Sequence, residues 1–275
     1  YEPAALPGLI FFLRLICEGR LPEQALSLVL ASRGVPLYDA SKKKIRPIVI
    51  ECPFYKIACT LINNRVAHRI TETCGPTQLG NAIPGGKEIL GHGIRMLLEA
   101  NPDWAVLKVD INNAFNSVDR RHVFTEASHF VPELTPFLSS IFTIRNVVHY
   151  SDARLKSDLS IQMNRGLNQG NPLSASLFNL AQHRSFQLLR EQFPNIVIVS
   201  YIDDHYIVGP PHIIISVLPM LDQLLRPSGL IRAEHKSQMF SSTPLTLDVV
   251  HECAERSVTI IAPDEGIQVV GVPIG

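Results

Sequence analysis

Two apolar runs, Ile196–Ile202 and His205–Val208, are separated only by two adjacent acids, Asp203 and Asp204, and no other feature constrains the fold of this chain as much. Runs this short and this rich in Ile and Val suit strands better than helices. The spacing therefore predicts a tight β-hairpin with the acid pair at its turn. Taken alone, such a turn is ordinary, because short polar side chains tolerate unusual backbone angles.

A third acid gives the turn a partner. The stretch Trp104–Ile111 reads as a strand, Ala-Val-Leu-Lys-Val, that runs into Asp110. An acid where a strand interior should be apolar is costly unless a cation or hydrogen bonds compensate it. Asp110, Asp203 and Asp204 can share one site if divalent metal relieves their repulsion. Carboxylate oxygens suit Mg²⁺, which keeps some of its waters and also binds substrate phosphates. Two such ions, about 3.5–4 Å apart, can activate a 3′-hydroxyl and stabilise a leaving pyrophosphate.

The rest of the chain predicts strands and helices without regular alternation. Residues 9–32 read as one or two helices, and Leu37–Glu51 as a hairpin with the basic turn Ser41-Lys42-Lys43-Lys44 near its tip. Helices are expected over Phe54–Thr73, Lys87–Ala100, Asp119–Phe130, Glu133–Thr143, Pro172–Phe193 and His212–Leu225. Short strands are expected at Asn146–Tyr150, Ser160–Asn164, Ser257–Ala262 and Gln268–Pro273, and a Gly/Pro-rich loop at Thr73–Gly86. This order favours an α+β fold, an antiparallel sheet backed by helices.

Composition excludes several classes. With 46% hydrophobic and 18% charged residues the chain is an ordinary globular one. Its net charge is zero, which argues mildly against a nucleic-acid partner, but the distribution is uneven. Residues 1–75 carry ten Lys/Arg against six Asp/Glu, an excess of four. Five cysteines without a C-x-x-C pair fit neither a disulfide framework nor a zinc ribbon, so reduced thiols inside the cell are expected. No run of about 18 apolar residues predicts a membrane span. The ten histidines form no helical H-x-x-x-H pair, and no G-x-S-x-G elbow is present. The stretch Gly80–Glu88 is a poor phosphate loop, its spacing wrong by one and Glu88 standing where Ser or Thr is needed. The start at Tyr1 and the end within an apolar stretch read as a piece of a longer protein.

Several blocks, in order, resemble the reverse transcriptase family from about Val35 to Gly275. Lys108-Val-Asp110-Ile-Asn-Asn-Ala-Phe115-Asn-Ser-Val resembles its first catalytic block, and Arg165-Gly-Leu-Asn-Gln169-Gly170-Asn-Pro172-Leu-Ser174-Ala-Ser-Leu-Phe178 its template- and nucleotide-positioning block. Tyr201-Ile-Asp203-Asp204 resembles the double-aspartate hairpin, and Gly229-Leu-Ile-Arg-Ala-Glu-His-Lys236 the block after it. Val270-Gly271-Val272-Pro273-Ile-Gly275 is similar to the primer grip. The wording Gln-Gly-x-Pro-Leu-Ser and the run Ala-Phe-Asn-Ser look most like non-LTR, LINE-type retrotransposon enzymes.

The resemblance implies a right-hand polymerase without its thumb: residues 1–105 mainly fingers and 106–275 mainly palm, with a fingers segment inserted near 120–170. It implies RNA-directed DNA synthesis with two Mg²⁺ ions, or Mn²⁺, on an RNA template, a DNA or RNA primer and dNTPs. Asp110, Asp203 and Asp204 would bind metal, and Lys236 would protonate the leaving pyrophosphate. Lys44 and Arg46 would hold the triphosphate, and Gln169 and Gly170 would contact the incoming nucleotide. Phe115 is either a gate against a 2′-hydroxyl or a core aromatic. Gly271, Val272 and Pro273 would grip the primer. The alternatives are an RNA-dependent RNA polymerase, against which Tyr201-Ile202 and Phe115 speak, and a decayed domain that binds nucleic acid without catalysis.

Overall fold

The chain opens on two helices, α1 (Ala5–Cys17) and α2 (Glu23–Leu30), in a computed structural model that describes residues 5–40, 43–152, 157–233 and 235–275. The side chains of residues 44, 46, 47, 152 and 157 also lie outside the description. Pro22 stands just before α2, where its missing N–H leaves no bond unmade. The strands β1 (Ser32–Asp39) and β2 (Lys44–Ile50) form the expected hairpin, with Ser41 and Lys42 outside the described residues. Then come α3 (Pro53–Cys74), α4 (Gly86–Ala100), β3 (Ala105–Val109), α5 (Ala114–Ser117), α6 (Arg120–Phe130) and α7 (Thr135–Thr143). A second hairpin, β4 (Asn146–Asp152) and β5 (Ser157–Met163), leads to the long helix α8 (Ser174–Gln192). The acid-bearing hairpin is β6 (Val197–Tyr201) and β7 (Asp204–Gly209). It is followed by α9 (Pro211–Ser216), α10 (Leu218–Leu225), β8 (Gln238–Ser241), α11 (Leu247–Glu255), β9 (Thr259–Ile261), β10 (Ile267–Val269) and β11 (Val272–Ile274).

Two main sheets result. One has the order β6-β7-β3-β8-β9 and the other β2-β1-β4-β5, while β10 and β11 pair only with each other. Side chains alternate across a strand, and the five-stranded sheet uses the alternation fully. Leu107, Val109, Ile207 and Met239 point into one apolar cluster, together with Leu180, Leu189 and Leu221 from the helices. Val106, Tyr206, Val208 and Phe240 point into another, with Leu90 and Ile94 of α4 and Ile267 and Val269 of β10. Fully burying a side chain of this size contributes roughly 1.5–3 kcal/mol. That makes this sheet the rigid floor of the molecule.

Four expectations are corrected. Neither sheet is wholly antiparallel, because β8 pairs parallel with β9 and β1 parallel with β4. The helix expected over His212–Leu225 is interrupted at Val217: Pro219 has no N–H to bond back to Ile215. The single strand expected at Gln268–Pro273 is two strands, because Val270 and Gly271 both adopt positive φ, 45° and 90°, and turn the chain. The short β8 and the helix α11 stand where nothing regular was expected.

Candidate active site

Strand pairing assembles the three acids. Val109 of β3 lies opposite His205 of β7, so Asp110, the next residue, comes level with Asp204. Tyr201 pairs with Asp204, leaving Ile202 and Asp203 as a two-residue turn. Burial and then repulsion from Asp204 and Asp110 raise the pKa of Asp203, although its side chain still reaches solvent; a hydrogen bond to its own backbone partly offsets this. Burial raises Asp204 as well, with Lys108 opposing, Asp110 reinforcing and Lys87 opposing. Both acids therefore feel Asp110, as members of one site must.

Three lysines surround the acids. Lys108 lies two residues before Asp110, on the same side of the strand, and its Nζ is 4.0 Å from Asp204 Oδ1. The same ammonium stands 5.9 Å from the centre of the Tyr206 ring. Lys87, at the start of α4, lies 5.3 Å over the Tyr201 ring. Lys236 Nζ is 3.8 Å from Asp110 Oδ1. It is brought there by the segment before it: Asn112 N–H donates to Ile231 O at 2.8 Å, and Ala233 N–H donates to Asp110 O at 2.8 Å. Among the described residues no three His, Cys, Asp or Glu side chains are gathered closely enough to enclose an ion. The donor set nevertheless fits a hard divalent cation. It offers carboxylate oxygens only, and they repel one another.

The turn itself is strained. Ile202 has φ 58°, a conformation that β-branched residues rarely adopt and that costs about 1–3 kcal/mol. Its backbone is held on both sides. Ile202 N–H donates to Gln78 Oε1 at 2.7 Å. Its carbonyl accepts from Gln182 Nε2 at 3.0 Å and from Gln78 Nε2 at 3.3 Å. Behind the turn, His205 is fully buried and bonded through Nδ1 to Ser200 Oγ at 2.8 Å. Burial pushes its pKa down to about 3, so it is a neutral structural group.

The remaining expected residues fall around this centre. Phe115 is half-buried and stacks on Phe178 of α8, ring centres 4.8 Å apart. One face is thus fixed by the core while the ring keeps some contact with solvent. Gln169 and Gly170 are exposed, and Gly170 has φ 90° with open space where a Cβ would stand. Their loop is fastened from below by Glu51, which accepts from Asn168 Nδ2 at 2.8 Å and from Asn171 Nδ2 at 2.9 Å. Burial raises the Glu51 pKa, and the two amides oppose the rise. Gly271 occupies the β10–β11 turn, with Val272 and Pro273 following in β11. Val272 packs against Gly91 of α4, Pro273 O accepts from Arg95 at 2.6 Å, and Val270 N–H donates to Tyr206 Oη at 3.1 Å. The last bond ties this hairpin to the one that carries the acids. Lys44 and Arg46 pair through their backbones with Asp39 and Leu37 of β1, and their side chains lie outside the described residues.

Lys87, Lys108, Gln78, Gln182 and Glu51 were not expected at the site. Two of them had a readable signal. Lys108 is a charge two positions from Asp110 in an apolar strand. Glu51 is an acid at the end of an apolar run, the same cue that singled out Asp110. Large clefts, of about 560 and 710 Å³, lie elsewhere, beside α1 and α3 and beside α6 and α7, and neither is lined by any of the three acids.

Comparison with known proteins shows the family. The chain matches the reverse transcriptase (RNA-dependent DNA polymerase) family over residues 37–274. The retrotransposable element SLACS 132 kDa protein of Trypanosoma brucei gambiense is 24% identical over 208 residues, 73% of this chain and 17% of that protein. The transposon TX1 149 kDa protein of Xenopus laevis is 25% identical over 162 residues, 57% of this chain and 12% of that protein. The chain therefore spans less than a fifth of either relative. Its fold is similar to that of telomerase from Candida albicans, solved with a fragment of telomeric RNA, at TM-score 0.61 and 14% identity over 82% of this chain and 44% of that one. Telomerase from Candida tropicalis gives TM-score 0.58 at 10% identity, covering 80% and 45%. Matched over most of its length and related in sequence to proteins of mobile elements, the chain belongs to the reverse transcriptase family.

Proposed function

We propose that this chain is the catalytic part of a retroelement RNA-directed DNA polymerase, which adds dNTPs to the 3′-hydroxyl of a primer on an RNA template. The observation that carries the reading is the juxtaposition of Asp110 with the Asp203-Asp204 turn, with Lys236 beside Asp110. Asp110 and Asp203 would hold two divalent ions of the kind this family uses, Mg²⁺ or Mn²⁺, and Asp204 completes the acidic site beside Lys108. Such ions, when bound, favour ionisation of the primer hydroxyl and stabilise the charge of the departing pyrophosphate.

The protein side chains do the rest. Lys236 is within reach of the same region as Asp110 and supplies a proton to the pyrophosphate. The Phe115 ring, held by Phe178, lies against the sugar of the incoming nucleotide and disfavours a 2′-hydroxyl. Gln169 and Gly170 approach the nucleotide from a loop that Glu51 anchors. Lys44 and Arg46 bind the triphosphate, and Gly271, Val272 and Pro273 support the primer end. The sheet pairing of Ser32 and Arg33 with Val148 and His149 supports grouping residues 120–170 with the amino-terminal part as fingers, the remainder of 106–275 being palm.

Single-turnover extension of oligo(dT) on poly(rA), with Mg²⁺ and with Mn²⁺, tests the reading. The parent chain is expected to extend the primer with dTTP, and Asp203→Ala is expected not to. Full activity in Asp203→Ala would overturn it.

A further inference from the structure

Gln78 and Gln182 come from distant parts of the chain and converge on one peptide unit. Gln78 lies on the segment before α4, Gln182 on the buried side of α8, and their exposures are 7% and 2%. Both are buried polar side chains, which need hydrogen-bond partners. Gln78 bonds the backbone of Ile202 through both ends of its amide, and Gln182 through its Nε2. The residues around Gln78 are fitted to the same turn. Leu79 N–H donates to Ser200 O at 2.8 Å, and Gly80 N–H donates to Gln78 Oε1 at 3.1 Å. A Cβ on Gly80 would meet Ile202 Cγ1 at 2.5 Å and Ile202 N at 2.6 Å, so this approach requires glycine.

Position i+1 of a two-residue hairpin turn has no ladder partner for its N–H, and positive φ there favours Gly, Asn or Asp. This chain has isoleucine. The two amides supply from outside what the turn residue lacks: an acceptor for its N–H and donors for its carbonyl. The next residue is Asp203, whose direction is set by the Ile202 peptide. Gln182 belongs to α8, which is also the helix that follows Gln169 and Gly170.

We infer that Gln78 and Gln182 are positioning residues for polymerisation, which hold the Ile202 peptide in its strained form and so fix where the acid pair points. The inference rests on the polymerase reading for its catalytic consequence, but the clamp has a readout of its own. Gln78 accepts and donates together, while Gln182 only donates, its buried Oε1 having no partner among the described residues.

Gln78→Met and Gln182→Met keep length and apolar bulk while removing the polar ends. Each is expected to lower kcat for primer extension about 10–100-fold, as a misplacement near 1 Å does, with the dNTP KM changed less than about threefold. Adding Ile202→Gly, which needs no help to adopt positive φ, is expected to restore at least about fivefold of the loss in the Gln182→Met background. Hydrogen exchange of the Ile202 amide in the parent chain is expected to be slow, and roughly tenfold or more faster in Gln78→Met. Unprotected exchange in the parent overturns the clamp, and this measurement needs neither a variant nor activity. Protected exchange with unchanged kcat in both variants overturns the positioning role. A loss that Ile202→Gly leaves unrescued does so too. A parent chain that extends no primer defeats the polymerase reading instead, and the exchange result still decides the clamp.

Discussion

The two large sheets are built from similar residues and treat them differently. In the five-stranded sheet Val106, Leu107, Val109, Ile207 and Val208 have no exposed surface. In the four-stranded sheet Leu37, Tyr38, Ile45 and Leu159 are each more than half exposed, between 55% and 63%. The first sheet has an apolar cluster on each face, one shared with α8 and α10 and the other with α4 and β10. A carboxylate cluster needs such a floor, because repelling acids displace any support that can yield. The second sheet leaves apolar side chains exposed on both of its faces, since Leu37 and Tyr38 are neighbours on one strand. On the proposed reading, one sheet is the machine bed and the other a guide.

The largest test of this division concerns catalysis. Asp110→Ala, on the floor, is expected to lower kcat by about a thousandfold or more. Lys44→Ala, on the open sheet, is expected to raise the dNTP KM about tenfold and leave kcat within about threefold. Steady-state extension with varied dTTP separates them. Equal kcat losses from both would erase the division.

Stability should divide in the same way. Leu107→Ala removes a side chain buried on every side and is expected to cost about 2–5 kcal/mol. Leu37→Ala, 55% exposed, should change stability by no more than about 0.5 kcal/mol. Urea titrations measure both. A large loss at Leu37 would mean that something covers the open sheet in solution.

Phe115 stands at the margin of the floor. Its stacking on Phe178 anchors one face. Phe115→Val is expected to raise ribonucleotide incorporation relative to deoxyribonucleotide by about tenfold or more. An unchanged ratio would make the ring a core residue only, and would return the RNA-dependent RNA polymerase reading to contention.

How much of this could be read in the sequence follows the same line. The floor was legible, because its signals are local. Apolar runs of strand length, acids at their ends and a two-residue turn all lie within a few positions of one another, and the hairpin and Asp110 came out as expected. Helices with strong periodicity, such as α4 and α6, also came out within a residue or two. What failed was non-local. The strand β8 has four residues and is a strand only because β3 lies beside it. The parallel pairing of β8 with β9 depends on α11, whose place between them no short pattern announced. Gln78 and Gln182 are 104 positions apart, and neither has meaning until both reach Ile202.

The smallest predicted effect is also the one that distinguishes a strained acidic site from a mere acidic surface. Burial, and then repulsion between acids, holds Asp203 and Asp204 above the ordinary carboxylate range. The folded chain therefore keeps protons through a window in which the unfolded chain has lost them. Stability from this source falls as pH rises through that window, and the cost is fully present above it. Buried His205, pushed down to about 3, acts oppositely: stability falls as pH drops below the ordinary imidazole range, because the unfolded chain then binds a proton that the folded one refuses. At pH 7, without divalent metal, Asp203→Asn is expected to raise Tm by about 1–3 °C while abolishing extension, a modest gain because the carboxylates stay in contact with water. Mg²⁺ should raise the Tm of the parent more at pH 7 than at pH 4.5, and that of Asp203→Asn less. If Asp203→Asn is instead less stable than the parent at pH 7, the acids are not repelling one another in the folded chain. They would then be a solvated turn, and the five-stranded sheet would be a floor with nothing demanding to hold.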